Sequence, residues 1–540
     1  MNRSNISWRV WLYALVLALV LSIPHIIALV NTPDGWQYSG ALVLPDGFRV
    51  DYNSHIAKMW QGARGEFAYQ LLFTHEEHPG LPTVQGFYVA LGAIAGMLGI
   101  GFALTYHIAR AVLTVTMILA LWRFAALYFD DARGRWLALI FGTLVTGWGW
   151  LLFFVAPLMS ANVAPIEFWL IDAYNAIGAL YMPHFAAAIT LQLVAFLLYE
   201  QWRKHPNPRH IILLTLVLLV DAIIQPYVVL LTFPLFGLLT AYHVFIGKTL
   251  SLQHALFLIV PALAHGGIVV YQYLAIAGHP IWADFTAQNL TLSPAPLYYV
   301  MGYLPFLLVM LIGGGALVQV VRADSRWLLP VLWVGLVIIL LYLPLPTQRR
   351  YLLGTQSPLA ILTAYAWIHG VQARFGKRLS RNLLIPVLAL SMIAPLLLLT
   401  MNSLSLANPQ TSANQFYTAD ERTVAEWIRQ NTEREALILT TFDTTQRGTG
   451  GAVVALTGRR VFIGHWIETA AFDAKQAQLA RFYDAESDRT WRRDFLRDID
   501  ADYIWYDAEA RTYGDWSPAT ADYLRPVIET ERVILYEVQS

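Results

Sequence analysis

In the stretch "FRVDYNSHIAKMWQGARGEF", residues 48–67, an acid and a histidine stand four residues apart, and a cluster of bases follows. Asp51 and His55, at i and i+4, project from one face if residues 51–64 are helical. A carboxylate so placed can act as general base on a hydroxyl proton, with His55 holding or tuning it. The plainer alternative is a charge pair on a solvated loop helix. "FTHEEHPGLP" follows, with His75, Glu76, Glu77 and His78 in four residues. Two imidazoles and two carboxylates suit a divalent metal, but the helical H-E-x-x-H pattern needs its histidines at i and i+4. A polar interfacial turn ending at Pro79 is the alternative, with Glu76 and Glu77 still able to line a substrate cleft. The metal question stays open, and no cofactor is certain.

A second group of candidates is basic. "PTQRRY" sets Arg349 and Arg350 side by side at the end of an apolar run. Their planar donor forks match phosphate; snorkelling to lipid headgroups is the other explanation. "EFWLIDAYNAIGALYMPHF" supplies Glu167, Asp172 and His184, and "AGHPIWADFTAQNLTLSPAP" supplies His279, Trp282, Asp284 and Asn289. This acid-and-aromatic mix suits a sugar, and equally an interfacial loop with a tryptophan anchor. Asp221 and Gln225 precede Pro226 inside an apolar block, where an acid either has a function or satisfies backbone freed by the proline. "TGRRVFIGHWIET" offers Arg459, Arg460, His465, Trp466 and Glu468 as a cap above a site or as a packed turn.

The elements that must position these residues are membrane helices. Of 540 residues, 57% are hydrophobic and 13% charged, against about 25% charged in soluble domains. A formal net charge of zero argues against a nucleic-acid partner. With no cysteine, thiol catalysis and cysteine-ligated metals are excluded. A crossing takes about 20 apolar residues. Candidate spans are 10–30, 106–128, 136–157, 184–200, 211–224, 226–246, 253–275, 297–321, 327–345, 351–372 and 383–402. The first reads as a retained span rather than a cleaved signal.

The glycine-rich run 83–102 is long enough to cross but breaks the charge bias if it does. Left in the outer interface, it puts Arg3, Arg9 and the basic loops 130–135, 201–210, 321–326 and 373–381 in the cytoplasm. The expectation is therefore a membrane α-helical bundle of about eleven spans over 1–402, with an outer loop at 31–105. An extracytoplasmic α/β domain follows over 403–540. There, "TADERTVAEWIRQNT" and "FDAKQAQLARFY" read as helices, and "ALILTTF", "RRVFIG", "ADYIWYD" and "RVILYEV" as strands.

This order resembles the GT-C superfamily of polyprenyl-phosphate-sugar-dependent glycosyltransferases, the group of protein mannosyltransferases and lipid A aminoarabinose transferases. It shares a first span, a long outer loop with an early acid, a basic-ended second span, broken helices and an outer α/β domain. Bacterial membrane proteins with "QRRY", "SPAP" and "GHWIET"-like segments are similar too. The resemblance implies that Asp51 in "VDYNSH" is the catalytic acid of the first outer loop. It also implies that Arg110 in "TYHIARAV" is the basic residue opening the second span. The paired Asp-Glu of protein mannosyltransferases is lacking. The implied activity is inverting sugar transfer at the outer face of the plasma membrane, from a polyprenyl-phosphate sugar to a glycan, lipid or protein acceptor. A lipid-linked glycan flippase and a non-catalytic glycan-binding scaffold are the alternatives.

Overall fold

The structure, a computed structural model, describes residues 6–45, 47–159, 163–443 and 447–539, the side chains of 156–159 excepted. Arg3, used in the topology argument, lies outside the described residues. The chain divides into two compact units. One comprises Met1–Ile23, His107–Tyr271 and Thr291–Met401; the other comprises Pro24–Tyr106, Gln272–Leu290 and Asn402–Ser540.

Helices dominate the first four hundred residues. They begin with α1 (Trp8–Val20), α2 (Ile23–Val30), α3 (Phe48–Ala63), α4 (Gly86–Leu98) and α5 (Phe102–Ala125). Five described helices are long and apolar enough to cross a bilayer, seven if each of two bent pairs counts as one span. Several of the eleven expected spans are short, interrupted or joined end to end. Pro208–Ile224 has only 17 residues. The apolar stretch 136–157 is interrupted between helices Ala132–Phe141 and Leu152–Met159. Gln356–Leu406 is a single run of 51 residues, more than twice the depth of the hydrocarbon core at about 1.5 Å per residue. It is turned by Gly376, whose φ of 73° only glycine adopts freely.

In the second unit, the loop of residues 31–105 and the C-terminal segment fold together. Short antiparallel pairs, β1 (Gln37–Tyr38) with β4 (Phe416–Tyr417) and β2 (Ala68–Tyr69) with β3 (Leu81–Pro82), stitch this unit. Its main sheet is built from β5 (Leu437–Leu439), β6 (Arg460–Val461), β7 (Tyr503–Tyr506), β8 (Leu524–Glu529) and β9 (Ile534–Val538), in the order β6-β5-β7-β9-β8. β5 pairs in parallel with β6 and β7, while β9 runs antiparallel to β7 and β8. Successive strand side chains alternate faces, and two cores result. Leu437, Leu439, Phe462, Leu479, Phe482 and Ile504 fill one; Ile438, Val424, Ile428, Val453, Trp505 and Leu535 fill the other. The first loop contributes to both, with Val50 in the first and Ala57, Leu72 and Phe73 in the second. Helix Ala419–Asn431 starts with a capping box between Thr418 and Glu421.

α3 is polar in sequence yet buried along nearly its whole length, including Asn53, Ser54, His55, Lys58 and Gln61. Such a helix is stable only if its polar groups meet partners. Gln61 exchanges hydrogen bonds with the Gln70 backbone in both directions. Trp60 donates to the Ala455 carbonyl at 2.9 Å, and Arg64 donates to the Gly458 carbonyl at 3.0 Å. α4 packs on α3 through glycines. A Cβ on Gly62 would lie 1.8 Å from the Val89 carbonyl oxygen, and one on Gly92 2.1 Å from that of Met59. The glycine-rich run is thus a helix of 13 residues, about 20 Å long and shorter than a bilayer core.

Candidate functional site

The parallel strands β5, β6 and β7 end on one edge of the sheet, the edge at which open α/β sheets carry their ligand loops. The loop leaving β6 there brings His465 and Glu468 onto α3. Asp51, Ser54 and Lys58 stand at i, i+3 and i+7, so they share one face of that helix. Glu468 Oε1 accepts from Ser54 Oγ at 2.5 Å and from Lys58 Nζ at 2.7 Å, and Oε2 accepts from Tyr69 OH at 2.5 Å. Burial alone pushes the Glu468 carboxyl up, but the Lys58 ammonium, the neighbouring His465 ring and the Ser54 hydroxyl outweigh it and hold the group at about 2. Glu468 is therefore a fixed anion.

One turn back in the same loop, His465 Nδ1 accepts the backbone N–H of Ile467 at 3.0 Å and of Glu468 at 3.2 Å. A ring nitrogen accepting two N–H groups carries no proton, so the hydrogen sits on Nε2. Nε2 faces Asp51 Oδ1 at 3.5 Å. The imidazole is 3% exposed and the Asp51 side chain 40% exposed. A carboxylate on the first turn of a helix, open to solvent on one side and backed by a buried N–H, has the disposition of a general base.

His55 follows Asp51 by one turn of α3. Its ring stacks on Tyr88 with centroids 3.9 Å apart, and Tyr88 stacks on Tyr106. The helical spacing expected of Asp51 and His55 is present, and a further imidazole, that of His465 more than 400 positions away, lies 3.5 Å from the acid. The signal available in sequence was the polar i, i+3, i+7 face of α3 together with the "GHWIET" turn.

The other expected residues fall into place as follows. Glu76 pairs with Lys475 at 2.7 Å and accepts from Thr74. Burial pushes the Lys475 ammonium down to about 8 despite that pairing. Glu77 is 98% exposed, with Arg460 at 3.8 Å. Asp284 accepts the Ala471 N–H at 2.7 Å and so holds the start of helix Phe472–Tyr483.

In the membrane unit, Arg350 Nη1 lies 3.3 Å from Asp172 Oδ1, and the Arg349 guanidinium sits 5.1 Å from the Trp169 ring centroid. Their turn, Gln348–Leu352, is pinned by Arg349 N–H to the Thr291 carbonyl and Ser293 N–H to Gln348 Oε1. His184 is half-buried beside Phe185. Arg110 is wholly buried and donates to the Leu21 carbonyl at 3.2 Å and Ser22 Oγ at 2.8 Å, satisfying backbone freed where α1 ends.

No protein-family model matches the chain, and no curated protein matches it in sequence. Solved structures do match. The Archaeoglobus fulgidus oligosaccharyltransferase, in its complex with zinc and sulfate, aligns at a TM-score of 0.52 and 15% identity over 97% of this chain and 73% of that one. Tethered to an acceptor peptide containing the NVT sequon, the same enzyme aligns at 0.50 and 15% identity over 92% and 69%. ArnT from Cupriavidus metallidurans, bound to undecaprenyl phosphate, aligns at 0.51 and 13% identity over 96% and 97%. The chain therefore shares the overall fold of these two proteins.

In the stretch 75–78, His78 and Glu76 are already committed within the protein. His78 Nε2 accepts the Leu71 N–H at 2.8 Å and its Nδ1 donates to the Glu76 carbonyl at 2.8 Å, so both ring nitrogens are engaged. Glu76 is committed to Lys475. Among the described residues, no three His, Asp or Glu side chains converge as a metal site.

Proposed function

We propose that the chain is an inverting glycosyltransferase. It moves a sugar from a polyprenyl-phosphate donor to a glycan, lipid or protein acceptor at the outer face of the plasma membrane, with Asp51 as base. The observation that carries this reading is the half-exposed Asp51 carboxylate, backed by a buried imidazole, in a chain with the GT-C fold. The undecaprenyl phosphate on ArnT and the acceptor peptide on the oligosaccharyltransferase support a lipid-phosphate donor and a separate acceptor for this fold.

In this reading the acceptor oxygen attacks the anomeric carbon opposite the phosphate while Asp51 takes its proton. The bond from carbon to the phosphate oxygen breaks, the electron pair leaves with the polyprenyl phosphate, and the anomeric configuration inverts. Arg349 and Arg350, oriented by Trp169 and Asp172, contact that phosphate. Glu77 and His184 remain candidates for sugar or acceptor contact. Glu76, Asp284 and Arg110, also candidates for substrate contact, each hold a loop or helix end within their own unit. The topology belongs to the same proposal: eleven spans, a cytoplasmic N-terminus, membrane domain 1–402 among the lipids, and domain 403–540 outside.

A second reading, a lipid-linked glycan flippase, is favoured by Asp221. It is buried before the helix break at Gln225–Pro226, and neither carboxylate oxygen has a hydrogen-bond partner among the described residues. One experiment separates the two. Purified protein is given labelled polyprenyl-phosphate sugars, wild type beside Asp51→Asn and Arg350→Ala. The enzyme reading expects transfer to fall about 10²–10⁴-fold in Asp51→Asn with lipid binding intact, and donor binding to weaken in Arg350→Ala. Wild type that binds these lipids, moves them across vesicles and transfers nothing would replace the enzyme by the flippase.

A further inference from the structure

The loop after β6 does more than cover α3. It meets the helix at two points on one face. Glu468 is locked between Ser54, Lys58 and Tyr69, and His465 reaches Asp51 one turn nearer the helix start. The two points are joined by the Glu468 N–H, which donates to His465 Nδ1 while the Glu468 carboxylate holds α3. The ring is fixed from behind by two backbone N–H groups and flanked by Phe73 and Trp466, with centroids 5.8 and 5.2 Å away. It therefore has one tautomer and a fixed ring, with Nε2 3.5 Å from Asp51 Oδ1.

We propose that His465 is the positioning residue of Asp51. Its Nε2–H binds one carboxylate oxygen and turns the other toward the acceptor hydroxyl, and the Lys58–Glu468 ion pair holds the His465 loop in place. The inference rests on the reading of Asp51 as base. His465 moves no proton: the acceptor proton goes to Asp51 and from there to water when product leaves. At 3.5 Å the contact is long for a hydrogen bond. Contacts of that kind tighten once substrate fills the site, which gives the donor-bound state its working geometry.

His465 from the loop pairs with Asp51, and near it are Tyr88 from α4, whose hydroxyl feels the Asp51 charge, and His55, stacked on Tyr88 one turn along α3. Of these only His465 presents a donor fixed by backbone. Lys58, seven residues along the helix, is committed to Glu468 and Ser54.

The test compares His465→Gln, whose side-chain amide can offer an N–H where Nε2–H stood, with His465→Phe, which fills the space and offers none. The expected result is a fall in kcat of about 100-fold in His465→Phe, the order associated with a misplaced catalytic group, with KM for the donor within about two-fold. His465→Gln should recover to within about five-fold of wild type by keeping that N–H. Equal losses in both variants, or a loss carried by KM alone, would overturn the proposal.

A second measurement does not depend on turnover and also covers a His465→Phe chain that fails to fold. In protein labelled with ¹⁵N-histidine, the His465 signals are identified by their loss in His465→Gln. They should report a bare Nδ1 and a protonated Nε2 whose resonance moves in Asp51→Asn. An Nε2 signal that ignores Asp51→Asn overturns the positioning role even in an active enzyme. A signal that moves, in a protein that transfers no sugar, leaves the positioning role standing and sinks the reaction instead.

Discussion

Glu468 and Glu167 are both almost wholly buried, 4% and 1% exposed, yet they finish at opposite ends of the carboxylate scale. Glu468 receives an ammonium and two hydroxyls and is held at about 2. Glu167 receives the Gly149 N–H on Oε1 at 2.5 Å, and its Oε2 has no partner among the described residues. Burial prevails there, and the carboxyl is pushed up to about 7. Depth alone therefore predicts neither charge state. The donors that the surrounding backbone and side chains bring decide it. In the C-terminal unit a buried acid has become a permanent anchor, and in the membrane unit one has become a group that titrates near neutrality.

The strongest way to break the contrast is to strip Glu468 of its cation. Lys58→Met leaves a charge buried without a counter-ion and should cost about 3–5 kcal/mol, read as a drop in the denaturation midpoint at pH 7. The double variant Lys58→Met/Glu468→Leu should regain most of that loss. If the single variant is as stable as wild type, the ion pair does not hold the loop.

The next test concerns pH. Glu167 has a folded value of about 7 against 4.5 for the free group. Its contribution is fully present below about 4.5 and is lost as pH rises to about 7, a swing of up to about 3 kcal/mol. Glu468 is shifted the other way, so its contribution is complete above 4.5 and is lost as pH falls toward about 2. Glu167→Gln should remove that group's share of the stability change between pH 4.5 and 7 and leave the acid limb unaltered. The share of Glu509, which burial also pushes up to about 7, remains. A variant whose curve matches wild type in that window would refute the assignment. The smallest effect is expected from Tyr69→Phe, which takes one donor from Glu468 and should cost about 1–2 kcal/mol in the same denaturation measurement.

Much of the frame is legible in sequence because it depends on local periodicity. The helix expected over 51–64 is Phe48–Ala63. The four expected strands of the C-terminal sheet are present, as are the helices Ala419–Asn431 and Phe472–Tyr483. Strand β8 is not legible because Pro526 interrupts it, which an edge strand tolerates. Helix Thr449–Thr457 is hidden because Gly450 and Gly451 mask its start. A Cβ on Gly450 would lie 1.9 Å from the Ile463 carbonyl oxygen, so the glycine is required by packing rather than by a turn.

The site is half legible. Asp51 stands out by residue type and place, but spacing rules look for its neighbour only four residues away. The imidazole beside it comes from a loop more than 400 residues later, through a tertiary contact that helical periodicity does not encode. Arg349 and Arg350 stand out in sequence as an adjacent basic pair at the end of an apolar run. Its partners Asp172 and Trp169 are again distant in sequence.

The close approach of α3 and α4 has a mechanical consequence. Between most packed helices a layer of side chains absorbs small displacements by changing rotamer. At Gly62 against Val89 and Gly92 against Met59 there is backbone on backbone and no such cushion, so the two helices behave as one strut. The far side of that strut carries Ile94, Met97 and Leu98, all exposed. Whatever presses on those three side chains is felt, with little compliance between, by the helix that bears Asp51.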